Sequence, residues 1–310
     1  MSSLTLSKEE EKRLKGLGFL NNKGTDNFSA RILTVNGKVT AAQHRAMADA
    51  AETFGNGILT FTTRQTVEVQ GIPYEKLEEF QEFVENAGMA IGGTGAKVRP
   101  VVSCKGTTCQ YGLLDSFAIS EEIHKRFYEG YHDVKLPHKF KIAVGGCPNN
   151  CVKPNLNDLG IIGQRIPHFK AELCKGCKKC SVEAVCPMGA AKVSDKKYIL
   201  MKMSVFTVVD VWKTADSIRL QTERMGLKFL LADAWGKKIS HGRALSKVFT
   251  TKDEAMDVIE KAILLFRERG LAGERFAVMI DRIGFETVEE ALLRDDSLLE
   301  RKEEILSREL

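Results

Sequence analysis

CKGTTC (residues 104–109) and GGCPNNC (residues 145–151) place four of the eight cysteines of this 310-residue chain in two short pairs. All eight cysteines lie between positions 104 and 186, and the rest of the chain has none. Unrelated core thiols would not group in this way. The polar, basic N-terminus does not resemble a signal peptide, so a disulfide framework is not expected. The cysteines therefore predict metal binding.

Four thiolates in two pairs suit either a [4Fe–4S] cluster or a zinc ion. Small residues surround the sulfurs in both motifs, including Gly106 in the first and Gly145 and Gly146 in the second. Their backbone N–H groups are free to donate hydrogen bonds that stabilise the negative charge of a cluster. This pattern favours iron–sulfur, with zinc and buried free thiols as the alternatives.

A second cysteine group follows in CKGCKKCSVEAVCP (174–187) and contains Cys174, Cys177, Cys180 and Cys186. Its spacing is typical of a ferredoxin [4Fe–4S] site, and the alternative is a zinc knuckle. Five residues separate the last two cysteines, where bacterial ferredoxins usually have three. Cys186 therefore either closes on the same cluster, or that cluster is three-cysteine ligated, labile or absent.

The sequence around these motifs predicts an α+β protein. Residues 1–20 are interpreted as a charged leader that includes a short helix. Asn36–Gly37 predicts a turn, and Thr40 with Gln43 predicts a capping box. The expected strands are 29–35, 97–104, 139–144 and 159–163, with two more in the β-rich stretch 58–72, and the expected helices are 40–54, 74–87 and 112–128. Downstream of 225 we expect a helix opened by Thr251 and Glu254, then two helices around a turn at Gly284.

Composition excludes several classes of protein. The net charge is +5, but lysine and arginine are spread along the chain, so no nucleic-acid partner is expected. No apolar run approaches the roughly 18 residues of a transmembrane helix, so no membrane partner is expected. We therefore expect a cytoplasmic protein whose modest basic excess serves an anionic cofactor or substrate.

The two cysteine motifs resemble the signature of the sirohaem-dependent nitrite and sulfite reductases. Three further segments resemble the family in the same order: TTRQTVEVQGI (62–72), KVRPVVSC (97–104) and LPHKFKIAV (136–144). GERFAVMIDRIGF (273–285) is similar to the tail of the small anaerobic sulfite reductase catalytic subunits. Four ordered matches are improbable by chance.

The resemblance implies an α+β fold with three parts. A ferredoxin-like half-domain is expected over 1–95, and a sirohaem/[4Fe–4S] domain over 96–170 and 225–310. The residues 171–224 would form a small inserted ferredoxin-like module. Small members of the family commonly carry another cysteine-rich motif downstream, but residues 203–221 contain no cysteine, which puts electron entry through this module in doubt.

The resemblance also implies the roles of individual residues. Cys104, Cys109, Cys147 and Cys151 would hold the catalytic cluster, and Cys151 would bridge it to the sirohaem iron. Four cations would face the open side of the haem as catalytic residues, namely Arg64, Arg99, Lys139 and Lys141. Without the resemblance, Arg64 and Arg99 would be interpreted as solvated arginines. The two lysines would be placed on one face of an exposed strand.

The expected activity is the six-electron reduction of sulfite to sulfide, with nitrite reduction to ammonia as the near alternative. An iron–sulfur electron-transfer subunit without its own catalysis is the alternative from another class. The expected partners are the small oxyanion and an electron-donor protein, either a ferredoxin or a reductase subunit. Large members of the family contain the whole unit twice, so this single copy predicts a homodimer.

Overall fold

The computed structural model describes residues 6–169, 178–180, 183–184, 191–194, 197–200, 220–231 and 242–308. Its helices are α1 (Lys8–Leu17), α2 (Ala41–Phe54), α3 (Leu77–Asn86), α4 (Ser116–Ile123), α5 (Lys252–Arg269), α6 (Phe276–Ile283), α7 (Phe285–Leu293), α8 (Ser297–Glu300) and α9 (Lys302–Ser307). Its strands are β1 (Phe19–Asn21), β2 (Asn27–Ile32), β3 (Leu59–Phe61), β4 (Val67–Pro73), β5 (Val102–Ser103), β6 (Ile142–Gly145), β7 (Leu159–Phe169), β8 (Ala191–Ser194), β9 (Lys197–Leu200), β10 (Leu220–Leu231) and β11 (Arg243–Phe249).

The N-terminal unit is an antiparallel sheet of order β1-β2-β4-β3 with α2 and α3 packed on it. The predicted capping box of α2 is confirmed, because the Thr40 side chain accepts from the Gln43 backbone and the Gln43 side chain accepts from Thr40 N–H. The predicted turn is confirmed as well, since Asn36 and Gly37 both have positive φ. These local signals fix where the helix begins.

The second unit is a mixed sheet of order β11-β10-β7-β6-β5. Its strands β5, β6 and β7 run parallel, so their starting residues lie at one edge of the sheet and their last residues at the other. Helix α5 covers the sheet and contributes many of the buried residues of the second hydrophobic core. Phe140, Phe266 and Phe276 pack with ring centroids 5.0 to 5.9 Å apart and join α5 and α6 to the strands.

Side-chain hydrogen bonds connect the two units. The Gln65 amide donates to Ser103 O and accepts from Ser103 N at 2.7 and 2.9 Å, directly beside Cys104. The Tyr128 hydroxyl accepts from Gly93 N at 3.0 Å. The position of the first cysteine motif is therefore tied to the N-terminal sheet.

Several sequence predictions differ from the structure. Residues 8–21 are not a leader, because α1 and β1 place Leu14 and Phe19 in the N-terminal core. The strand predicted over 97–104 is reduced to β5 and one isolated bridge at Val98, because Pro100 has no N–H to donate to a ladder. Helix α4 begins at Ser116, where Asp115 caps it, and continues as a π-helix over His124–Glu129.

No helix in the described part of the chain combines the length and apolar character that crossing a membrane requires.

Candidate functional site

The first four cysteines lie together at the ends of β5 and β6. Cys104 directly follows β5 and Cys147 follows β6 after one glycine, and the Cys104 N–H donates to Val144 O at 3.1 Å. Burial raises the pKa of Cys147, and the thiols of Cys104, Cys151 and Cys109 raise it further. The structure thus brings together the residues that the two motifs predicted.

Glycines leave room around these sulfurs. A Cβ added to Gly106 would lie 2.8 Å from Gly146 Cα and 3.3 Å from Cys104 Sγ. The Gly146 N–H donates to Cys104 Sγ at 3.0 Å, which is the kind of hydrogen bond that stabilises a cluster thiolate. Within the described residues, no three histidine, cysteine or acidic side chains converge on a single-ion site. The grouped thiols and the N–H donor beside Cys104 Sγ fit a [4Fe–4S] cluster.

Cys147 is buried, whereas Cys151 is exposed. An exposed thiol beside the other three can bind a cluster and still reach a second group outside the protein surface. This exposure is compatible with a bridge to the sirohaem iron, and the bridging role of Cys151 stays a prediction.

Of the second cysteine group, the structure describes Cys180, which is half-buried and whose carbonyl accepts from Ala184 N at 3.1 Å. Cys174, Cys177 and Cys186 lie outside the described residues. The predicted ferredoxin-type cluster stays a prediction.

The predicted cations lie at the opposite edge of the sheet, where β5, β6 and β7 begin. Lys139 and Lys141 are half-exposed and alternate with the fully buried Phe140 just before β6. The Arg99 N–H donates to Phe140 O at 2.8 Å, and Asp158 immediately precedes β7. We call Arg99, His138, Lys139, Lys141 and Arg275 the cationic face, in which the Lys141 backbone and the Arg275 side chain contact Asp158.

Arg64 lies beneath this face, in the loop between β3 and β4 rather than on a strand. Its guanidinium donates to Pro100 O at 3.1 Å, Ile142 O at 3.0 Å and Asn157 Oδ1 at 2.8 Å. Burial lowers the pKa of Arg64 to about 10. In this arrangement Arg64 joins the two units, and its catalytic role stays a prediction.

Asp158 and Arg275 were not singled out from the sequence. Asp158 is fully buried; its carboxylate accepts from Lys141 N–H at 2.9 Å and from Arg275 Nη2 at 3.0 Å. Burial raises the pKa of Asp158, and Arg275 opposes that rise. The sequence motif 273–285 contained Arg275, but nothing local indicated a partner 117 positions away.

The lysines of the cationic face have lowered pKa values. Burial is the main cause for both, and Arg275 is the next cause for Lys139 as Arg64 is for Lys141. Neither ammonium group forms an ion pair or hydrogen bond with a described residue. Burial and Arg275 also lower the pKa of His138, whose Nδ1 accepts from Lys139 N at 2.8 Å. The face is therefore positively charged and suited to bind an anion and donate protons to it.

A cleft of about 780 Å³ lies elsewhere, between the N-terminal unit and the π-helical segment that follows α4. It is lined by Leu33, Met89, Tyr128 and His124, whose pKa is lowered by burial, and by neither the cysteines nor the cationic face. Two of its polar residues are already paired, because Lys38 contacts Glu121 and Gln43 donates to Gly88 O. The cleft is thus separate from the candidate site.

Two family models match the chain. The model of the nitrite and sulphite reductase 4Fe-4S domain matches residues 94–298, and the model of the nitrite/sulfite reductase ferredoxin-like half domain matches residues 21–87. The chain belongs to the nitrite and sulphite reductase family. The resemblance seen in the cysteine motifs is confirmed, and so is the α+β fold class with its ferredoxin-like half-domain.

Relatives of this family member include proteins of several organisms. An uncharacterized protein of Methanocaldococcus jannaschii is 39% identical over 263 residues, or 85% of this chain and 90% of that protein. A subunit of the anaerobic sulfite reductase of Salmonella typhimurium is 37% identical over 161 residues, or 44% of each chain. The alpha subunit of the dissimilatory-type sulfite reductase of Allochromatium vinosum is 25% identical and covers 79% of this chain and 64% of that subunit. The chain thus spans less than two thirds of both sulfite reductase subunits.

Solved structures show the same fold. Dissimilatory sulfite reductase I superposes with a TM-score of 0.68 at 21% identity, covering 86% of this chain and 69% of that one. The NirA protein of Mycobacterium tuberculosis superposes with a TM-score of 0.67 at 16% identity, covering 95% of this chain and 48% of that one.

Proposed function

We propose that this chain is the catalytic subunit of a sirohaem-dependent reductase that converts sulfite to sulfide with six electrons. Cys104, Cys109, Cys147 and Cys151 would hold a [4Fe–4S] cluster, with Cys151 shared with the sirohaem iron. Sirohaem, when bound, supplies an iron at which the oxyanion is reduced by electrons from the cluster. The observation that best supports the proposal is that the same chain contains both the four grouped thiols and the cationic face.

The chain's own residues would bind the anion and deliver protons. The Arg99 guanidinium offers planar N–H donors to the oxygens of the anion, and the lysines add compact positive charges. A lowered pKa makes Lys139 and Lys141 better proton donors near neutral pH than ordinary lysines. An electron-transfer subunit would have no need of such a face, so the face favours catalysis over the electron-transfer alternative.

Nitrite is the second candidate substrate. It is also a small oxyanion, and the named nitrite reductases among the relatives support it; the Bacillus subtilis enzyme is 32% identical over 129 residues. Both reductions take six electrons and consume protons, so the same cations serve either.

The test is to purify the protein without oxygen, record its visible spectrum, and measure turnover of sulfite and nitrite with an artificial reductant. A sirohaem band with faster sulfite turnover is the expected result. Faster nitrite turnover would select the second candidate. Sirohaem without turnover of either anion would move the function to electron transfer, and iron without sirohaem would overturn the proposal.

We further propose that the working unit is a homodimer. About 16 Å of chain separates Arg99 from Cys104, and about 20 Å separates Lys141 from Cys147, at about 3.3 Å per residue. The cationic face and the cysteines therefore lie at opposite edges of one sheet. In a two-fold dimer the face of one subunit can meet the cysteine end of the other, which would complete two sites.

We also propose that Cys174, Cys177, Cys180 and Cys186 hold a second [4Fe–4S] cluster, which would take electrons from a donor protein in the cytoplasm. Residues 171–224 would then be the inserted module between the two parts of the cluster domain. Iron analysis should give about nine irons per chain, from two clusters and one sirohaem, and Cys180→Ser should lower this to about five without loss of the sirohaem band. About five irons in the unaltered protein would contradict the second cluster.

A further inference from the structure

Arg275 stands at the N-terminal end of α6 and reaches the cationic face from the C-terminal part of the chain. One of its terminal nitrogens, Nη2, donates to Asp158 at 3.0 Å, and this ion pair fixes the guanidinium because Asp158 is fully buried. The anchoring uses one edge of the group. The bond to Asp158 does not use the Nε donor of Arg275.

The Nε atoms of Arg275 and Arg99 are both buried, and neither has a hydrogen-bond partner among the described residues. Buried guanidinium donors are normally satisfied, because leaving one unpaired loses the hydrogen bond that it made to water. Two such donors on one face indicate a ligand that supplies acceptor oxygens.

The charge balance supports the same conclusion. Arg99, Lys139, Lys141 and Arg275 contribute four positive charges to the face, and Asp158 interacts with the last three of them. Arg275 is among the causes that lower the pKa values of Arg99 and both lysines, so it acts on the same space as they do. An anion bound between these cations would reduce the electrostatic repulsion that lowers their pKa values.

We propose that Arg275 is an anion-binding residue of the cationic face, held by Asp158 so that it donates to a carboxylate or oxyanion group together with Arg99. The inference rests on the proposed function, since the anion is either the sulfite substrate or a carboxylate of the tetrapyrrole. The shared chemistry is a planar donor group presented to paired acceptor oxygens.

The test compares Arg275→Gln with Arg275→Lys, which keeps the charge but loses Nε. Arg282→Gln is the matched control, because Arg282 lies on the same helix and pairs with Glu274 away from the face. Each protein is purified without oxygen, and three quantities are measured: sirohaem per chain, the dissociation constant for sulfite from spectral titration, and the rise in melting temperature with sodium sulfate.

If Arg275 binds the substrate, Arg275→Gln should keep its sirohaem and bind sulfite at least about tenfold more weakly, with partial recovery in Arg275→Lys. If it binds a cofactor carboxylate, sirohaem content should fall several-fold while the loaded fraction binds sulfite normally. Either result supports the proposal. Values equal to those of Arg282→Gln in all three measurements would overturn it, as would a lower melting temperature with unchanged anion binding.

Failure of the proposed function has a different signature. It would show as wild-type protein without sirohaem or turnover. The rise in melting temperature with sulfate needs no sirohaem, so it tests the role of Arg275 in that case too. A rise that is lost in Arg275→Gln but kept in Arg282→Gln supports the role of Arg275. Equal rises in the two variants overturn that role.

Discussion

Asp158 determines the geometry of the cationic face. It is fully buried at the start of β7, and it holds the backbone of Lys141 and the side chain of Arg275 at the same time. A carboxylate at this point reduces the electrostatic repulsion between the neighbouring cations. The net charge of the face stays positive, so the face can still attract an anion. Among the described residues, Asp158 is therefore the carboxylate that organises the face.

Replacing Lys139 with methionine should lower sulfite turnover by about a hundredfold or more, because it removes a charge and a proton donor from the face. The sirohaem spectrum should stay nearly unchanged, since no cysteine is touched. Lys12→Met is the control, because Lys12 is exposed on α1. Equal rates in the two variants would remove Lys139 from the proposed role.

Sulfite binding should depend on pH through Lys141. Burial, Arg64 and Arg275 lower its pKa while Asp158 opposes them, so the ammonium loses its proton at a lower pH than an ordinary lysine. Affinity should therefore fall as pH rises through that lowered pKa. Lys141→Arg stays charged and should keep its affinity, so the ratio of variant to wild-type affinity should rise in alkaline buffer. A ratio that does not change with pH would contradict this role of Lys141. The protonation of sulfite itself affects both proteins equally, so it does not alter the ratio.

At the scale of elements, the glycines beside β5 and β6 allow the cysteine motifs to approach each other. A Cβ added to Gly146 would lie 2.7 Å from Gly106 Cα and 3.4 Å from Cys104 Sγ. Gly146→Ala should therefore reduce cluster loading, measured as iron and labile sulfide per chain. Gly16→Ala in α1 meets nothing within 4 Å and should load normally. Equal loading in the two variants would show that the cysteine motifs tolerate the extra methyl group.

Elements with local signals could be predicted from the sequence, and those set by distant contacts could not. The Thr40 capping box, the Asn36–Gly37 turn and the turn at Gly284, with φ of 91°, involve neighbours in the chain. Grouping of the four cysteines followed from their motifs. Burial of α1 and β1 did not, since it depends on strands that come later.

The candidate site shows the same division. Its cysteines and lysines lie in recognisable motifs. The ion pair of Asp158 with Arg275 joins two segments that are far apart in the sequence, and no local pattern in either segment predicts the other as its partner. The bonds of Arg64 to Pro100 and Ile142 likewise arise from packing between the two units.

At the scale of the whole molecule, the proposed dimer can be tested by mixing two inactive variants. Lys139→Met damages the face and Cys151→Ser damages the cysteine end. If each site uses one subunit's face and the other's cysteines, half of the sites in a mixed dimer are intact, so random mixing should restore about a quarter of wild-type activity. Mixing without subunit exchange is the control, and no recovery after exchange would place both parts of the site in one chain.

The placement of the two functional ends on opposite edges of the sheet has a genetic consequence. In the proposed dimer, a chain that carries both defects would inactivate both sites of any normal chain that it joins, because it contributes a faulty part to each. A chain with only one defect would leave its normal companion a single working site. In cells that make both forms, the doubly altered allele should thus be the more dominant of the two.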